Sequence, residues 1–541
     1  AVDTLATDKP LTLIKTGTPA VKRQSATALG QIKDIKSVPV LLEALENIDD
    51  RFIQHAIIYS LVAHKSPTLL LQGLLNNSSK IQEASLIALD QLSGNLKPYH
   101  LTPFLKKENL QRTALWIASH HPEWSGSLIT FLRDAFSKKS SFEEKNKLYR
   151  NILISFSDQV NMQWFFIELL QNASPERKLF VLNLMKDCPL KELPLFWQQS
   201  IGHILNGSED LPVLLQAIAL VRQYEIKSLE PYLQRLITIE PSSPELTLNV
   251  LAALSDFNKE LSEVHFEYVL SQLTAGTNIL LKQKAARLLG SMTLNDIQIS
   301  KMVEEFLPVT EDYTLTLILP TFKGAHSVET GRALISALSK TTLLGNFKED
   351  ELAKLFEQYP LELNPEIDGL LAMVREARSN RFSNMKELEE SITYGNLDNG
   401  RQLFFNKAAC SGCHTIGGEG DSFGPDLTSI QLDRSFHDLL EAIVYPDASI
   451  VREFDTFSIK TSNNTYTGII QEQTPELIVL GLAPGISVNI DKSEIISMEV
   501  LQTSLMPQGL DKKLSKQEMA DLMAFLIGQD QHPDTDHKIL R

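Results

Sequence analysis

The 541-residue sequence predicts a mainly α protein: a long array of stacked helix pairs, then a smaller helical domain that carries a β insertion. Three observations predict it. A leucine- and alanine-rich phrase recurs through the first half of the chain. Near residue 410 a cysteine pair with an adjacent histidine opens a stretch of different composition. Between residues 453 and 503 the sequence turns rich in Ile, Val, Thr, Phe and Tyr, broken by Asn463-Asn464, Thr474-Pro475 and Pro484-Gly485, which reads as four or five short strands in a meander.

The recurring phrase takes the forms QSATALGQI (24–32), HAIIYSLVA (55–63), EASLIALDQL (83–92), FVLNLMKDC (180–188), AIALVRQY (217–224), NVLAALSDF (249–257) and KAARLLGSM (284–292). Its leucines, 29, 61 and 89, then 184, 220, 254 and 289, are spaced 32 and 28, then 36, 34 and 35 residues apart. Self-similarity at that period means stacked helix pairs, because one pair cannot bury its apolar face alone. Alanines beside the leucines allow close helix approach. The phrase resembles HEAT repeats, whose second helix carries a similar Ala-x-x-Ala-Leu-Gly core; the Trp-Leu-Gly and Tyr signature of tetratricopeptide repeats is missing. The resemblance implies a scaffold with a protein-docking surface. No chemistry is evident in the array: adjacent His120 and His121 point different ways from a helix end, Cys188 reads as a small buried apolar residue, and Trp116, Trp124, Trp164 and Trp197 read as core or groove residues.

Totals exclude several classes. Hydrophobic content is 43% with no run of eighteen apolar residues, so no transmembrane segment is expected. The N-terminus lacks the basic and apolar blocks of a signal peptide. Residues 398–541 carry 11 basic and 21 acidic side chains, a net −10 of the chain's −16, which argues against nucleic acid as a partner and permits steering of a basic protein. Three cysteines are too few for a disulfide framework or a zinc ribbon.

Cys410-Ser-Gly-Cys413-His414 has the Cys-x-x-Cys-His spacing of covalent c-type haem attachment. Two thiols one helical turn apart can add to the two vinyl groups, and the next imidazole is aimed at the iron. A zinc site would need further ligands, and a thioredoxin-like dithiol should follow a strand, whereas DNGRQLFFNKAA (398–409) reads as helix.

The surroundings resemble class I cytochrome c. Gly400, Leu403 and Phe404 stand where that family's N-terminal helix crosses its C-terminal one, and Gly424-Pro425-Asp426-Leu427 follows the motif. The resemblance implies one covalently bound haem c on Cys410 and Cys413. It makes His414 the proximal iron ligand, with its imidazole donating to the main-chain oxygen of Pro425, and it places Phe404, Gly424 and Leu427 in the haem pocket. The sixth ligand is sought among Met498, Met506, Met519, Met523, His437, His532 and His537. Met506 is the expected one. It opens MPQGLDKKLSKQEMADLMAFLIG, which resembles the end of a class I cytochrome c, with a Ser515/Glu518 capping box starting a helix near 516. Met519 and Met523 read as core of that helix, Met498 falls in a strand, and His532 and His537 lie in a polar tail. Arg434 and Arg452 are candidates for pairing haem carboxylates, surface ion pairing being the commoner role.

The β insertion ahead of Met506, with the ordered segments GPDLT, LLEAI, TGII and SLMPQGL, resembles the Planctomycetes/Verrucomicrobia-type haem-binding domain. The layout expected is a HEAT-like scaffold over 1–375, a helical linker over 376–395, a cytochrome c-like domain over 396–529 with its insertion about 453–503, and a polar tail over 530–541. The expected function is an exported, periplasmic mono-haem electron carrier taking single electrons from a partner dehydrogenase or other redox protein. Two alternatives stand beside it: a haem-bearing subunit or fragment of a sugar or alcohol dehydrogenase whose catalytic module lies elsewhere, and a repeat-based interaction protein with a haem sensor. No substrate-oxidising residues are evident in the chain.

Overall fold

Leu29, Leu61, Leu89, Leu184, Leu220 and Leu289 are all fully buried in the computed structural model, so the recurring phrase is the core of the array. Leu254 departs from the pattern: it is half-buried, and Leu251 and Ala253 of the same helix take the inward positions. Residues 4–92, 94–137, 142–171, 173–207, 209–238, 243–274, 279–307, 312–324, 326–392, 394–462, 464–501, 503–528 and 537–538 are described.

The chain forms two compact units, Ala1–Leu190 and Lys191–Arg541. The first is made of short helices such as Pro19–Ile32, Arg51–His64 and Ser79–Gln91. Their starts are set by local chemistry. The Asp50 carboxylate accepts from the N–H groups of Phe52 and Ile53, and proline opens Pro19–Ile32, Pro67–Gly73 and Pro175–Lys186, where no N–H partner is needed. Cys188 is buried, as its sequence suggests. Trp124 is buried, whereas Trp116 and Trp164 are about half exposed and belong to the surface rather than the core.

The second unit begins with helices of the same kind, among them α1 (Leu211–Gln223) and α2 (Ile279–Gly290), and Trp197 is buried within it. One apolar cluster runs from Leu248 to Val374. A second begins at Met385 on α3 (Arg381–Ser391) and takes in α4 (Leu397–Phe405), α5 (Phe436–Val444) and α6 (Lys516–Ile527). Between α5 and α6 lie five strands, β1 (Thr456–Thr461), β2 (Thr465–Gln473), β3 (Leu477–Ala483), β4 (Ile486–Asp491) and β5 (Ile495–Leu501). The sheet is antiparallel with order β4-β3-β2-β1-β5. It is not a simple meander: the last strand crosses back to pair with β1, with Ile459 opposite Met498. That return points the chain from the insertion back toward α6. The sheet has a small core of its own around Ile459, Ile478, Leu480, Val488 and Ile490.

The sheet also leans on the array. Buried Gln223, the last residue of α1, donates from Nε2 to Asn489 Oδ1 (3.1 Å) and accepts at Oε1 from Ser487 Oγ (3.1 Å). Tyr466 Oη donates to Glu225, and Lys191 pairs with Asp491.

The cytochrome-like part is closed by α4 crossing α6. A Cβ on Gly400 would stand 2.0 Å from the Asp521 carbonyl oxygen, so only glycine permits this approach. Phe404, fully buried, meets Phe525 edge-on with centroids 5.6 Å apart. The Asp521 carboxylate accepts from the Asn396 N–H (2.8 Å), and the Ser515/Glu518 capping box starts α6 at Lys516, as the sequence predicts. Gly400→Ala should therefore destabilise the chain by roughly 1–3 kcal/mol through overpacking, despite the better helix propensity of alanine. Thermal unfolding followed by circular dichroism checks this: a lower transition is expected, and an unchanged one would mean the crossing is looser than described.

Candidate functional site

After α4 the backbone turns through Ala409, whose φ is 54°, into the single turn Cys410–Gly412. The N–H groups of Cys413 and His414 both donate to the Cys410 carbonyl (3.1 and 2.9 Å), so two thiols and an imidazole are fixed on one short coil. A two-strand hairpin, Thr415–Ile416 with Glu419–Gly420, reverses the chain. The return then lies back along the motif: Gly424 N–H donates to the Cys413 carbonyl (2.6 Å) and Leu427 N–H to the Thr415 carbonyl (2.8 Å).

That return sets the imidazole. His414 Nδ1 lies 2.9 Å from the main-chain oxygen of Pro425. A carbonyl only accepts, so Nδ1 carries the proton and Nε2 keeps its lone pair. Burial lowers the His414 pKa below its ordinary value, opposed by the bond to Pro425, so the ring is neutral at neutral pH. A Cβ on Gly424 would stand 2.8 Å from His414 Cε1, so glycine here leaves the ring its place.

Cys410 and Cys413 are free and half-buried. Burial pushes the Cys410 thiol up to about 12 and the Cys413 thiol up to about 11, the latter opposed by the charge of Arg287. Both are S–H groups at neutral pH.

Met506 is brought to the same place by a loop built on Asp447. One Asp447 carboxylate oxygen accepts from the Ser504 N–H (2.7 Å) and the other from Gln508 Nε2 (2.7 Å), while Ser504 Oγ accepts from the Met506 N–H (3.1 Å). The half-buried Met506 side chain packs against Leu510, and so does Ala409, the residue before Cys410. The other candidates are occupied elsewhere. Met519 and Met523 are buried in the helix-crossing core, Met498 is about half exposed on β5, and His437 bonds Glu389 through Nδ1 (2.9 Å). His532 lies outside the described residues, and of His537 only the backbone is described. Phe404 is fully buried in the same core, with Leu427 packed against it.

Two thiols, an imidazole with Nε2 uncommitted and a thioether form a donor set that fits haem c, and no cluster of three or more His, Cys, Asp or Glu suited to a bare metal ion occurs among the described residues. A cytochrome c family model matches residues 397–478. The chain thus carries a cytochrome c domain. A model of HEAT repeats matches residues 7–90. No curated protein matches the chain. The cytochrome c match ends inside β3, ahead of Met506 and α6, because the five-stranded insertion separates them from the Cys410 motif.

Two contributions were invisible in the sequence. Asp447 has no motif to mark it, and Arg287 stands over a hundred residues before the site. Arg434 and Arg452, candidates for haem carboxylates whose commoner role is surface pairing, are placed so: Arg434 Nη1 donates to Ser449 Oγ (3.4 Å) and Arg452 is exposed.

The lowered His414 pKa has a sign. The unfolded imidazole protonates near its ordinary 6.5 and the folded one below it, so under that pH the unfolded chain binds more protons. Stability of the haem-free chain should fall as pH drops through 6.5 and beyond, and the His414 ring should titrate below 6.5 by NMR; a midpoint at or above 6.5 would contradict the buried, Pro425-bonded geometry.

Proposed function

We propose that this chain is an exported electron-transfer protein with one c-type haem, accepting single electrons from a partner dehydrogenase. The observation that carries this reading is the His414 Nδ1–H bond to the Pro425 oxygen, which leaves Nε2 ready beside two free thiols. In it, Cys410 and Cys413 would hold the porphyrin through thioethers, and His414 Nε2 and Met506 Sδ would serve as the iron ligands. Bound haem supplies one-electron chemistry between Fe(III) and Fe(II).

The residues of the chain set the conditions for that exchange. Pro425 fixes the tautomer and plane of His414 and increases its basicity as a ligand. The Asp447 bonds pre-form the Met506 loop. Phe404, Leu427 and Leu510 surround the site with apolar atoms. Ligation by Met506 would raise the potential relative to two imidazoles, which suits an acceptor placed after an enzyme. No proton donor or nucleophile is required.

The helical array fits a protein-docking scaffold, and an encounter with a redox partner is expected to be weak and partly electrostatic. The GPDLT, LLEAI, TGII and SLMPQGL segments support assignment to the Planctomycetes/Verrucomicrobia-type haem domain. Periplasmic location follows from thioether attachment, which takes place outside the bacterial cytoplasm.

Met506→Ala should abolish the thioether–iron charge-transfer band of the oxidised protein, while Met519→Leu should keep it. Absorption spectra of both beside the parent decide it; a band that survives in Met506→Ala moves the ligand assignment to another residue. Sugars or alcohols added to the purified chain should leave the haem oxidised until a dehydrogenase is supplied, and direct reduction would give the chain a catalytic role of its own.

A further inference from the structure

The helical array does more than precede the cytochrome domain. Arg287, on α2, donates from Nη2 to the main-chain oxygen of Leu505 (3.4 Å), the residue before Met506. Its charge also acts on the Cys413 thiol, opposing the rise that burial causes. A second array residue touches the same loop: a Cβ on Gly509 would meet both methyl carbons of Leu343 at 3.2 Å. A third, Asn346, donates from Nδ2 to the Val444 carbonyl (3.2 Å) at the end of α5, three residues before Asp447. The loop that bears Met506 is therefore held from within by Asp447 and from the array by Arg287 and Leu343.

Arg287 is half-buried, and burial lowers its pKa. Among the described residues no carboxylate lies within ion-pair distance of it. A desolvated guanidinium without an anion is costly, and its planar donor fork matches a carboxylate. Haem held at this site would supply two carboxylates and a redox iron. A fixed cation there stabilises the reduced state, which holds one more electron, and it is poorly screened by salt because it is partly withdrawn from water.

We propose that Arg287 is a positioning residue of the cytochrome centre: through Leu505 it steadies the Met506 loop, and its charge at that loop raises the reduction potential of the haem. The proposal rests on the haem reading above. It makes the array part of the redox site, so that a protein bound to the neighbouring repeats could alter the potential by moving one side chain.

The test uses the full-length, haem-loaded chain and compares the parent with Arg287→Gln, Arg287→Lys and Leu343→Ala. Two quantities are read: the midpoint potential by spectroelectrochemical titration, and the pH at which the oxidised protein loses its thioether–iron band. Arg287→Gln should lower the potential and bring the loss of the band to a less alkaline pH. Arg287→Lys should keep the potential near the parent's but still lose the band earlier, since an ammonium cannot reproduce the fork. Leu343→Ala, which alters the same loop without removing a charge, should shift the band loss and leave the potential near the parent's. An unchanged potential in Arg287→Gln, or an equal fall in Leu343→Ala, would overturn the proposal. If Arg287→Gln does not fold, Arg287→Lys decides, because both readings unchanged there would also overturn it. A parent chain without haem would instead sink the underlying reading, so the two failures are distinguishable.

Discussion

The cytochrome domain depends on one backbone contact, the approach of Gly400 on α4 to the Asp521 carbonyl on α6. The two helices stand at opposite ends of the domain, with the hairpin, α5 and a five-stranded sheet between them. Their crossing closes the chain on itself and returns the segment before α6 to the Cys410 turn. Without it Met506 and Ala409 would have no reason to meet on Leu510. The contact excludes every side chain but hydrogen at position 400, and the packed pair Phe404–Phe525 supplies the apolar surface that holds it shut. An insertion of five strands is tolerated because its two ends, near Thr456 and Leu501, are neighbours: β1 and β5 pair directly.

A second constraint is the satisfaction of the imidazole. Whatever binds at His414, its Nδ1 proton is already committed to Pro425, and the Gly424 backbone lies too near for a side chain. The geometry of the imidazole is thus settled by main-chain hydrogen bonds within residues 410–427, a short local unit, whereas the Met506 loop is settled by long-range contacts through Asp447 and the array. The two halves of the site have different origins, and the second can respond to changes elsewhere in the chain.

That difference explains what the sequence made legible. Cys410, Cys413, His414 and Pro425 are readable because their spacing along the chain is the geometry. The repeat leucines are readable because a buried stripe recurs with the helix-pair period, and even there Leu254 is only half-buried while Leu251 and Ala253 face inward, a shift that periodicity does not encode. The capping box at Ser515 is local and was visible. The strand order was not, since a run of Ile, Val and Thr marks strands without saying that β5 crosses to β1. Nor were Arg287, Asp447 and Gln223: each acts through tertiary contact with a distant segment, and an isolated Arg, Asp or Gln on a helix or loop has the same appearance when it merely faces water.

The central claim is that porphyrin is bonded through sulfur to Cys410 and Cys413. The most direct measurement is the mass of the mature protein under denaturing conditions, with the peptide spanning 408–427 isolated and weighed. The account requires the chain to be heavier by a single haem, located on that peptide. An unmodified peptide with two thiols open to alkylation would contradict it.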